Sequence, residues 1–448
     1  MVSRNAKIVI IVAVAAVAVA AVVLVTYDFG GKKDTDYTTA SVEFTDLLRE
    51  GDFDGCVGHF DVTMKASLPP AKLKAVWNET VATYGPVRSI QNIELFPYKE
   101  YIIAFVYCRC DISGLIIQQT YDKGGRVAGL FFKPYDQDAP ASLPDKLEEN
   151  GVNINEGTEW ELNGKIVRTK GAKSGVAAVL VQGSGPSDMD ETISVNKPFR
   201  DIAWGLAENG VDSVRYDKRT YTHGGKMASM DDLTVEQETI EDAIAAAKLL
   251  RTEGYSKVYL VGHSLGGMIA PRIVDEGKGV FDGMVIMAGS PRKLTDIIKD
   301  QNDALIASMP ESADKEALRQ IISTEYGKVA NLDTWTDAEL KSNKIFELSA
   351  YYLKDLAGVD AVATAKKLGV PTFIIQGSAD FQVYADKDYK MWQTELQGET
   401  FAKFKLYAGL NHLFMLSQGQ YAGTVAEYGV KSSVSQQVVD DMAGFMKN

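Results

Sequence analysis

A single serine, Ser264, stands between two glycines in the stretch "VYLVGHSLGG". The residues before it, 258–262, have the composition of a buried strand, and those after it, 265–274, follow a helical pattern. Ser264 is therefore expected at a very tight strand-to-helix turn, where only glycine fits at Gly262 and Gly266. The new helix also directs a positive dipole end and free N–H groups toward this point. The spacing predicts Ser264 as a nucleophile.

A serine hydroxyl is a poor nucleophile without a general base, and the chain contains four histidines. His412, in "YAGLNHLFM", follows the last predicted strand at its carboxyl end, which is where the active sites of parallel α/β sheets lie. His412 is thus the predicted base. His223, which precedes Ser264 in the chain, is the alternative; His263 is expected to pack beside the serine, and His59 belongs to another part of the chain.

A third group is needed to orient the imidazole and to stabilise its charged form. Asp380, in "FIIQGSADFQV", follows the penultimate predicted strand, again at its carboxyl end. Asp386 and Asp388 are nearby alternatives. The chain order of serine, aspartate and then histidine is the order found in α/β hydrolases. Asp380 is therefore the predicted orienting acid.

Two N–H groups are expected to bind the developing oxyanion. The tight turn supplies the backbone N–H of Leu265. The second donor is expected from the loop after the earlier strand "VAAVLV", which reads Gln182-Gly183-Ser184-Gly185-Pro186 and lets the backbone approach a substrate closely. The N–H of Ser184 is the predicted donor, with that of Gly185 as the alternative.

The elements around these residues predict a mostly parallel sheet with helices on both faces. From residue 158 onward, strand-like and helical segments alternate, after a hairpin signal with Asn163-Gly164 as its turn. Between Arg292 and about Lys367 the strands stop, and the pattern is helical throughout. We therefore expect one α/β catalytic domain over 155–448, with a helical cap at about 292–367.

The N-terminal part of the chain predicts two further units. Ile8 to Val25 is an unbroken run of 18 apolar residues after two basic ones, long enough at roughly 27 Å to cross a bilayer. It is interpreted as an uncleaved transmembrane anchor within 1–30, with the body outside the cytoplasm; the alternative is a cleaved signal and a secreted protein. Residues 37–145 predict a small α+β domain, followed by a proline-containing linker.

Composition restricts the classes of partner and chemistry. The net charge of −13 argues against a nucleic acid partner, because phosphate binding needs a basic face. The three cysteines, Cys56, Cys108 and Cys110, all precede residue 151, so a thiol cannot serve in the predicted catalytic domain. Neither a disulfide framework nor a metal site is expected from their spacing.

The segments "VQGSGPSDMDE", "NKPFRDIAWGLAENGV", "RYDKRTY", "VGHSLGG", "QGSAD" and "LNH" together resemble the α/β-hydrolase superfamily. More narrowly, they resemble bacterial and archaeal serine esterases with a small accessory domain before the hydrolase. The motifs span about residues 159 to 447. The resemblance implies a triad of Ser264, Asp380 and His412, a helical cap after the sixth strand, and no cofactor. Many relatives have His-Gly where this chain has Gln182-Gly183, and "RYDKR" is interpreted as a structural loop.

The expected function is hydrolysis of carboxylic esters with short to medium acyl chains, through an acyl-enzyme and with a small-molecule ester as the partner. An amidase or peptidase, a thioesterase and an acyltransferase are alternatives that would use the same triad. A non-catalytic surface binding protein is the alternative from another class. The cap is rich in Leu, Ile, Ala and Tyr, which suits an apolar substrate group.

Overall fold

The computed structural model describes residues 36–98, 101–135, 142–193, 196–308, 311, 313–358, 360–419, 422–423, 427–428 and 431–448. The apolar run 8–25 lies outside these residues. The transmembrane anchor, and the extracytoplasmic location that depends on it, therefore stay predictions. Within the described ranges, no helix combines the length and the apolar character that crossing a bilayer requires.

Short helices and an antiparallel sheet form the N-terminal part of the chain. The helices are α1 (Tyr37–Glu50), α2 (Phe53–Gly58), α3 (Val62–Ser67) and α4 (Pro70–Tyr84), and the strands are β1 (Val87–Tyr98), β2 (Tyr101–Cys110), β3 (Gly114–Tyr121) and β4 (Val127–Tyr135). The strands pair in chain order, and helices and strands share a core that includes Phe44 and Leu73. Cys56, Cys108 and Cys110 lie buried in it as reduced thiols. The predicted helices followed by an antiparallel sheet are confirmed.

The later strands build a larger sheet and one small hairpin. They are β5 (Leu147–Ile154), β6 (Leu162–Thr169), β7 (Val176–Val181), β8 (Asp212–Tyr216), β9 (Lys257–His263), β10 (Gly283–Met287), β11 (Lys344–Ile345), β12 (Leu348–Ser349), β13 (Thr372–Gly377) and β14 (Ala402–Tyr407). The described sheet has the order β14-β13-β10-β9-β7-β8-β6-β5, and β6 is antiparallel to both of its neighbours. The other strand pairs are parallel, so the predicted mostly parallel sheet is confirmed.

The hairpin at one edge of this sheet corrects two expectations. Asn163 and Gly164, predicted as the turn, lie inside β6, where a Cβ on Gly164 would come within 2.9 Å of the Arg215 carbonyl oxygen. This glycine permits close strand packing rather than a turn. The chain reverses instead near Asn155 and Gly157, which have φ of 57° and 75°. The preceding strand β5 comes from the predicted linker, so the sheet begins at residue 147 rather than 155.

Helices link the parallel strands and cover both faces of the sheet. They are α5 (Pro198–Glu208), α6 (Arg219–Thr222), α7 (Gly224–Met227), α8 (Glu241–Thr252), α9 (Leu265–Met268), α10 (Ala270–Glu276), α11 (Leu294–Ser308), α12 (Ala313–Gly327), α13 (Asp337–Ser342), α14 (Ala350–Ala357), α15 (Ala361–Leu368), α16 (Lys390–Glu395) and α17 (Gln436–Lys447). Phe199 of α5 and Met442 of α17 belong to one hydrophobic core. Leu250 of α8 and Ile273 of α10 belong to the core on the other face.

The described residues between 294 and 357, which lie between β10 and α15, form a cap with a hydrophobic core of its own. That core consists of Ile298, Ile306, Leu318, Ile322, Leu332, Leu340, Ile345, Phe346, Ala350 and Leu353. The sequence predicted a purely helical segment, whereas β11 and β12 form a short antiparallel hairpin within it. The predicted end at about 367 also differs, because Ala361 and Ala365 of α15 pack into the core of the large sheet.

Candidate active site

Ser264 lies at the tight turn between β9 and α9. Its φ of 53° is in the left-handed region, which a side-chain-bearing residue adopts only when its surroundings hold it there. The Ser264 N–H donates a hydrogen bond to the Met287 carbonyl at 2.9 Å. A Cβ on Gly262 would come within 2.3 Å of the Gly266 carbonyl oxygen, and one on Gly266 within 2.4 Å of the Val181 carbonyl oxygen. The glycine spacing is therefore a requirement of backbone packing around the serine.

Asp380 and His412 lie on loops after neighbouring strands, β13 and β14, and are hydrogen bonded to each other. His412 Nδ1 is 2.7 Å from Asp380 Oδ2. The other carboxylate oxygen, Oδ1, accepts the backbone N–H groups of Gln382 at 2.8 Å and Val383 at 2.9 Å. Among the described residues, His412 Nε2 has no hydrogen-bond partner. Because a carboxylate only accepts, Nδ1 carries the proton, and Nε2 presents a free lone pair that can act as a base.

Ser264 and the aspartate loop line one cavity of about 40 Å³ at the carboxyl edge of the sheet. The lining residues are Ser184, Ser264, Leu265, Met268, Ser290, Leu294, Ile297, Ile298, Gln301, Gln382 and Val383. No hydrogen bond joins Ser264 Oγ to His412 Nε2 in the described structure. Such contacts often tighten only when substrate binds. The predicted nucleophile and the loop of the predicted acid are thus brought together.

The alternative residues lie elsewhere or are occupied. His223 Nε2 donates to the Glu161 carbonyl at 2.9 Å, near the β5–β6 hairpin. Asp388 is fully buried and accepts hydrogen bonds from Arg292 at 2.7 and 3.0 Å, which fixes the start of the cap. Asp386 is exposed. The structure therefore gives none of these three a place beside His412.

A second buried acid–histidine pair lies behind the first. His263 Nε2 is 3.0 Å from the His412 carbonyl oxygen, and Nδ1 is 3.0 Å from Glu191 Oε1. The two imidazole rings have centroids 4.7 Å apart. Burial lowers the pKa of His263, but Glu191 and the His412 carbonyl more than offset this, so that the pKa lies above its ordinary value of 6.5. Because both neighbours accept hydrogen bonds, the imidazolium form of His263, with a proton on each nitrogen, is the form that satisfies both contacts.

Sequence reasoning expected His263 to pack beside the serine and gave no role to Glu191. Glu191 is 1% exposed and has a φ of 49°, so its side chain is held inward by an uncommon backbone conformation. Its Oε1 also accepts the Gly183 N–H at 2.7 Å. One carboxylate oxygen therefore joins the loop after β7 to the residue before Ser264. An acidic residue in an irregular loop has no local pattern that could have indicated these partners.

The loop after β7, predicted to supply an oxyanion donor, lies directly beside the serine. A Cβ on Gly183 would be 3.1 Å from Ser264 Cβ. The Gly183 carbonyl accepts a hydrogen bond from Lys218 Nζ at 2.9 Å. Leu265 is the first residue of α9, so its N–H has no acceptor one turn back within the helix. Ser184 lines the same cavity as the serine.

A parallel sheet whose carboxyl edge bears a serine turn, an aspartate–histidine pair and a glycine-rich loop defines the α/β-hydrolase class. The chain belongs to the hydrolase family described as serine aminopeptidase, S33, whose family model matches residues 195–418. The resemblance to α/β hydrolases inferred from the motifs is thereby confirmed. Residues 41–130 match a second family, DUF3887, described as a protein of unknown function.

Esterase EstD of Thermotoga maritima is 35% identical to this chain over 407 residues, which cover 90% of this chain and 93% of that protein. Among solved structures, the Pyrococcus furiosus esterase Pf2001 is 15% identical, covers 67% of this chain and 91% of its own, and has a TM-score of 0.42. Est1E from Butyrivibrio proteoclasticus is 13% identical, covers 66% of this chain and 99% of its own, and has a TM-score of 0.42.

Proposed function

We propose that this protein hydrolyses carboxylic esters through an acyl-enzyme formed on Ser264. His412 Nε2 takes the hydroxyl proton as the serine oxygen attacks the ester carbonyl, and Asp380 orients the imidazole and stabilises its charged form. The N–H groups of Leu265 and Ser184 bind the oxyanion. The protonated imidazole then gives its proton to the leaving alcohol, and water releases the acyl group by the same steps in reverse.

The observation that carries this proposal is the 2.7 Å contact between His412 Nδ1 and Asp380 Oδ2, with Nε2 left without a described partner. An aspartate that also accepts two backbone N–H groups is fixed in place. It therefore fixes the imidazole tautomer that a general base needs. The 35% identity with Esterase EstD over nearly the whole chain supports ester bonds as the target.

The cavity supports short acyl groups as substrates. Its volume, counted as the space open to the centre of a water-sized sphere, is about 40 Å³. One water needs roughly 10–15 Å³ counted in the same way, so the cavity has room for a small group. The lining is mostly apolar, through Met268, Leu294, Ile297 and Val383 among others. An acyl chain of a few carbons can pack against these apolar side chains without burying an unpaired polar group of the substrate.

A peptidase is the second candidate function, because the family description names serine aminopeptidases. An aminopeptidase must hold the charged amino terminus of its substrate close to the scissile bond. A carboxylate is the side chain that supplies the counter-charge which such a cation needs in a buried site. The residues that line the described cavity include no aspartate or glutamate. This lining favours a neutral acyl group over a free amino terminus.

The test is hydrolysis of p-nitrophenyl esters, from acetate to palmitate, by the purified full-length chain. We expect activity on short chains, with kcat lower by about 10⁶ in Ser264→Ala. Ser256→Ala is the matched control, because Ser256 lies just before the opposite end of the same strand β9 and bonds the Gly175 carbonyl. It should keep wild-type turnover.

A fluorophosphonate probe provides an independent readout, because it labels an activated serine without any ester substrate. The probe should label the wild-type chain and Ser256→Ala, and should not label Ser264→Ala. More than a few per cent of activity in Ser264→Ala would overturn the assignment of the nucleophile. Ser264-dependent cleavage of aminoacyl p-nitroanilides without turnover of any ester would replace the esterase proposal by the peptidase.

A further inference from the structure

The peptide group between Gly183 and Ser184 is anchored from one side by a buried lysine. Lys218 Nζ donates to the Gly183 carbonyl at 2.9 Å, and Lys218 is 1% exposed. A trans peptide is planar, so the Ser184 N–H points in the direction opposite to the Gly183 carbonyl. Ser184 lines the cavity with Ser264, whereas Lys218 is not one of the lining residues. The lysine therefore fixes the direction in which the Ser184 N–H points.

Lys218 is itself held in place by several contacts. Its Nζ is 2.9 Å from Glu238 Oε1, and both side chains are buried. Its backbone N–H donates to the Ser187 carbonyl at 2.9 Å, in the same loop as the anchored peptide. Glu238 Oε2 accepts the hydroxyl of Tyr352, which lies on α14 of the cap. The ammonium group is thus aimed at the Gly183 carbonyl by a fixed network.

The preceding peptide is fixed separately. The Gly183 N–H donates to Glu191 Oε1 at 2.7 Å, so both sides of Gly183 have a charged partner. Glycine has the widest conformational freedom of any residue, and a peptide beside it can rotate when nothing binds its carbonyl. A positive charge on the carbonyl also polarises the peptide and strengthens its N–H as a donor. Orientation and donor strength thus both depend on Lys218.

We propose that Lys218 is a positioning residue that sets the direction and the donor strength of the Ser184 N–H toward the oxyanion. The proposal rests on the function proposed above, in which that N–H binds the oxyanion. Lys218 acts through the Gly183–Ser184 peptide and does not touch the substrate. An ion pair that served only folding would affect stability without changing the stabilisation of a tetrahedral species.

The experiment compares two variants of the full-length chain. Lys218→Met alone would leave the buried Glu238 without a cation, which is strongly destabilising. The double variant Lys218→Met/Glu238→Gln removes both charges together. Glu238→Gln alone is the matched control: it also removes the counter-charge of Lys218, but its amide oxygen can still accept from the ammonium group and its NH₂ group can donate to the Tyr352 hydroxyl, so Lys218 stays on the Gly183 carbonyl. Circular dichroism and thermal unfolding verify that both variants fold.

Three readouts separate positioning from folding. Turnover of p-nitrophenyl acetate gives kcat and KM, ethylboronic acid gives the affinity for a tetrahedral adduct on the serine, and fluorophosphonate gives a labelling rate without substrate. Loss of a whole oxyanion donor costs about 10²–10³ in kcat, so a misdirected donor should cost about 10–100-fold. In the double variant we expect that loss in kcat, an equal rise in the boronate inhibition constant, and KM within about threefold. Glu238→Gln should stay within about threefold of wild type throughout.

A folded double variant with kcat and boronate affinity within about threefold of wild type would overturn the proposal. So would Glu238→Gln losing as much as the double variant, since the ion pair and not the carbonyl contact would then be responsible. These results differ from a failure of the proposed function, in which the wild-type chain itself has no Ser264-dependent ester turnover. In that case the fluorophosphonate labelling rates still test the role of Lys218: equal rates in the wild-type chain and the double variant would overturn it.

Discussion

Replacing Glu191 by glutamine removes an acceptor that two buried donors share. In the structure, Glu191 Oε1 accepts the Gly183 N–H at 2.7 Å and the Nδ1 proton of His263 at 3.0 Å. The other ring nitrogen of His263 faces the His412 carbonyl, which accepts only. Nε2 must therefore keep its proton in any state of the pair. A neutral His263 would then present an unprotonated Nδ1 toward residue 191.

The glutamine amide in Glu191→Gln satisfies only one of the two groups at a time. Its oxygen can accept the Gly183 N–H and leave the Nδ1 of a neutral His263 without a donor, or its NH₂ group can serve Nδ1 and leave the Gly183 N–H unpaired. A charged His263 would instead be a buried cation without a counter-charge. One unsatisfied buried polar group costs about 1–3 kcal/mol, so Glu191→Gln should lower the free energy of unfolding by about that amount.

The loss should also depend on pH. Burial lowers the pKa of His263, and Glu191 more than offsets this, so the pKa lies above 6.5 in the folded chain. A raised histidine pKa contributes stability that is fully present below the unfolded value and is lost as the pH rises through the folded one. Glu191→Gln removes this contribution. The difference in unfolding free energy between wild type and variant should therefore be largest near pH 6 and smaller near pH 9.

The measurement is urea unfolding followed by tryptophan fluorescence, at about pH 6 and about pH 9. Glu156→Gln, at an exposed position of the β5–β6 hairpin, is the control for the change of charge alone. It should match wild type within about 0.5 kcal/mol. A Glu191→Gln variant as stable as this control near pH 6, or with a loss that is equal at both pH values, would refute the shared-acceptor reasoning.

Two further predictions concern carboxyl groups. Asp380→Asn should lower kcat for p-nitrophenyl acetate by about 10⁴. An amide has only one accepting oxygen, so it cannot serve both His412 and the backbone N–H groups, and the tautomer of His412 is disturbed. A loss below about tenfold would contradict this. Burial and the neighbouring Glu276 raise the pKa of Glu236 to about 7, so folding stability should fall as the pH rises from about 4.5 to about 7. Glu236→Gln should thus raise the thermal unfolding midpoint near pH 8 and hardly change it near pH 5, whereas an equal change at both would argue against a shifted pKa.

The main site residues could be predicted from the sequence because each lies in the turn or loop that follows a predicted strand. The glycines around Ser264 reveal the tight turn in the sequence, because a residue with a side chain does not fit there. Gly266, for example, allows the close approach of the Val181 carbonyl. Asp380 and His412 lie on the loops after neighbouring parallel strands, and the carboxyl ends of such strands meet at one edge. Local order along the chain is thus enough to bring these three positions together.

The partners that support the site were not accessible from local pattern. Glu191 bonds His263, and Lys218 bonds the Gly183 carbonyl. Both contacts join residues far apart in the chain, and no periodicity or spacing encodes them. The same limit explains the misplaced hairpin turn. Gly164 is a glycine because the Arg215 carbonyl passes close by, and a sequence cannot distinguish that need from the need for a turn.

The cap has a core separate from that of the sheet, yet its contribution to the described cavity comes from one helix. Leu294, Ile297, Ile298 and Gln301 all lie on α11, and the other cap elements pack behind it. A combinatorial library for new substrate preference can therefore be confined to these four cap positions, with Ile298 varied only among apolar residues because it also belongs to the cap core. The remaining cap sequence can change, or be recoded for expression and solubility, as long as its own core remains apolar and Tyr352 keeps its hydrogen bond to Glu238.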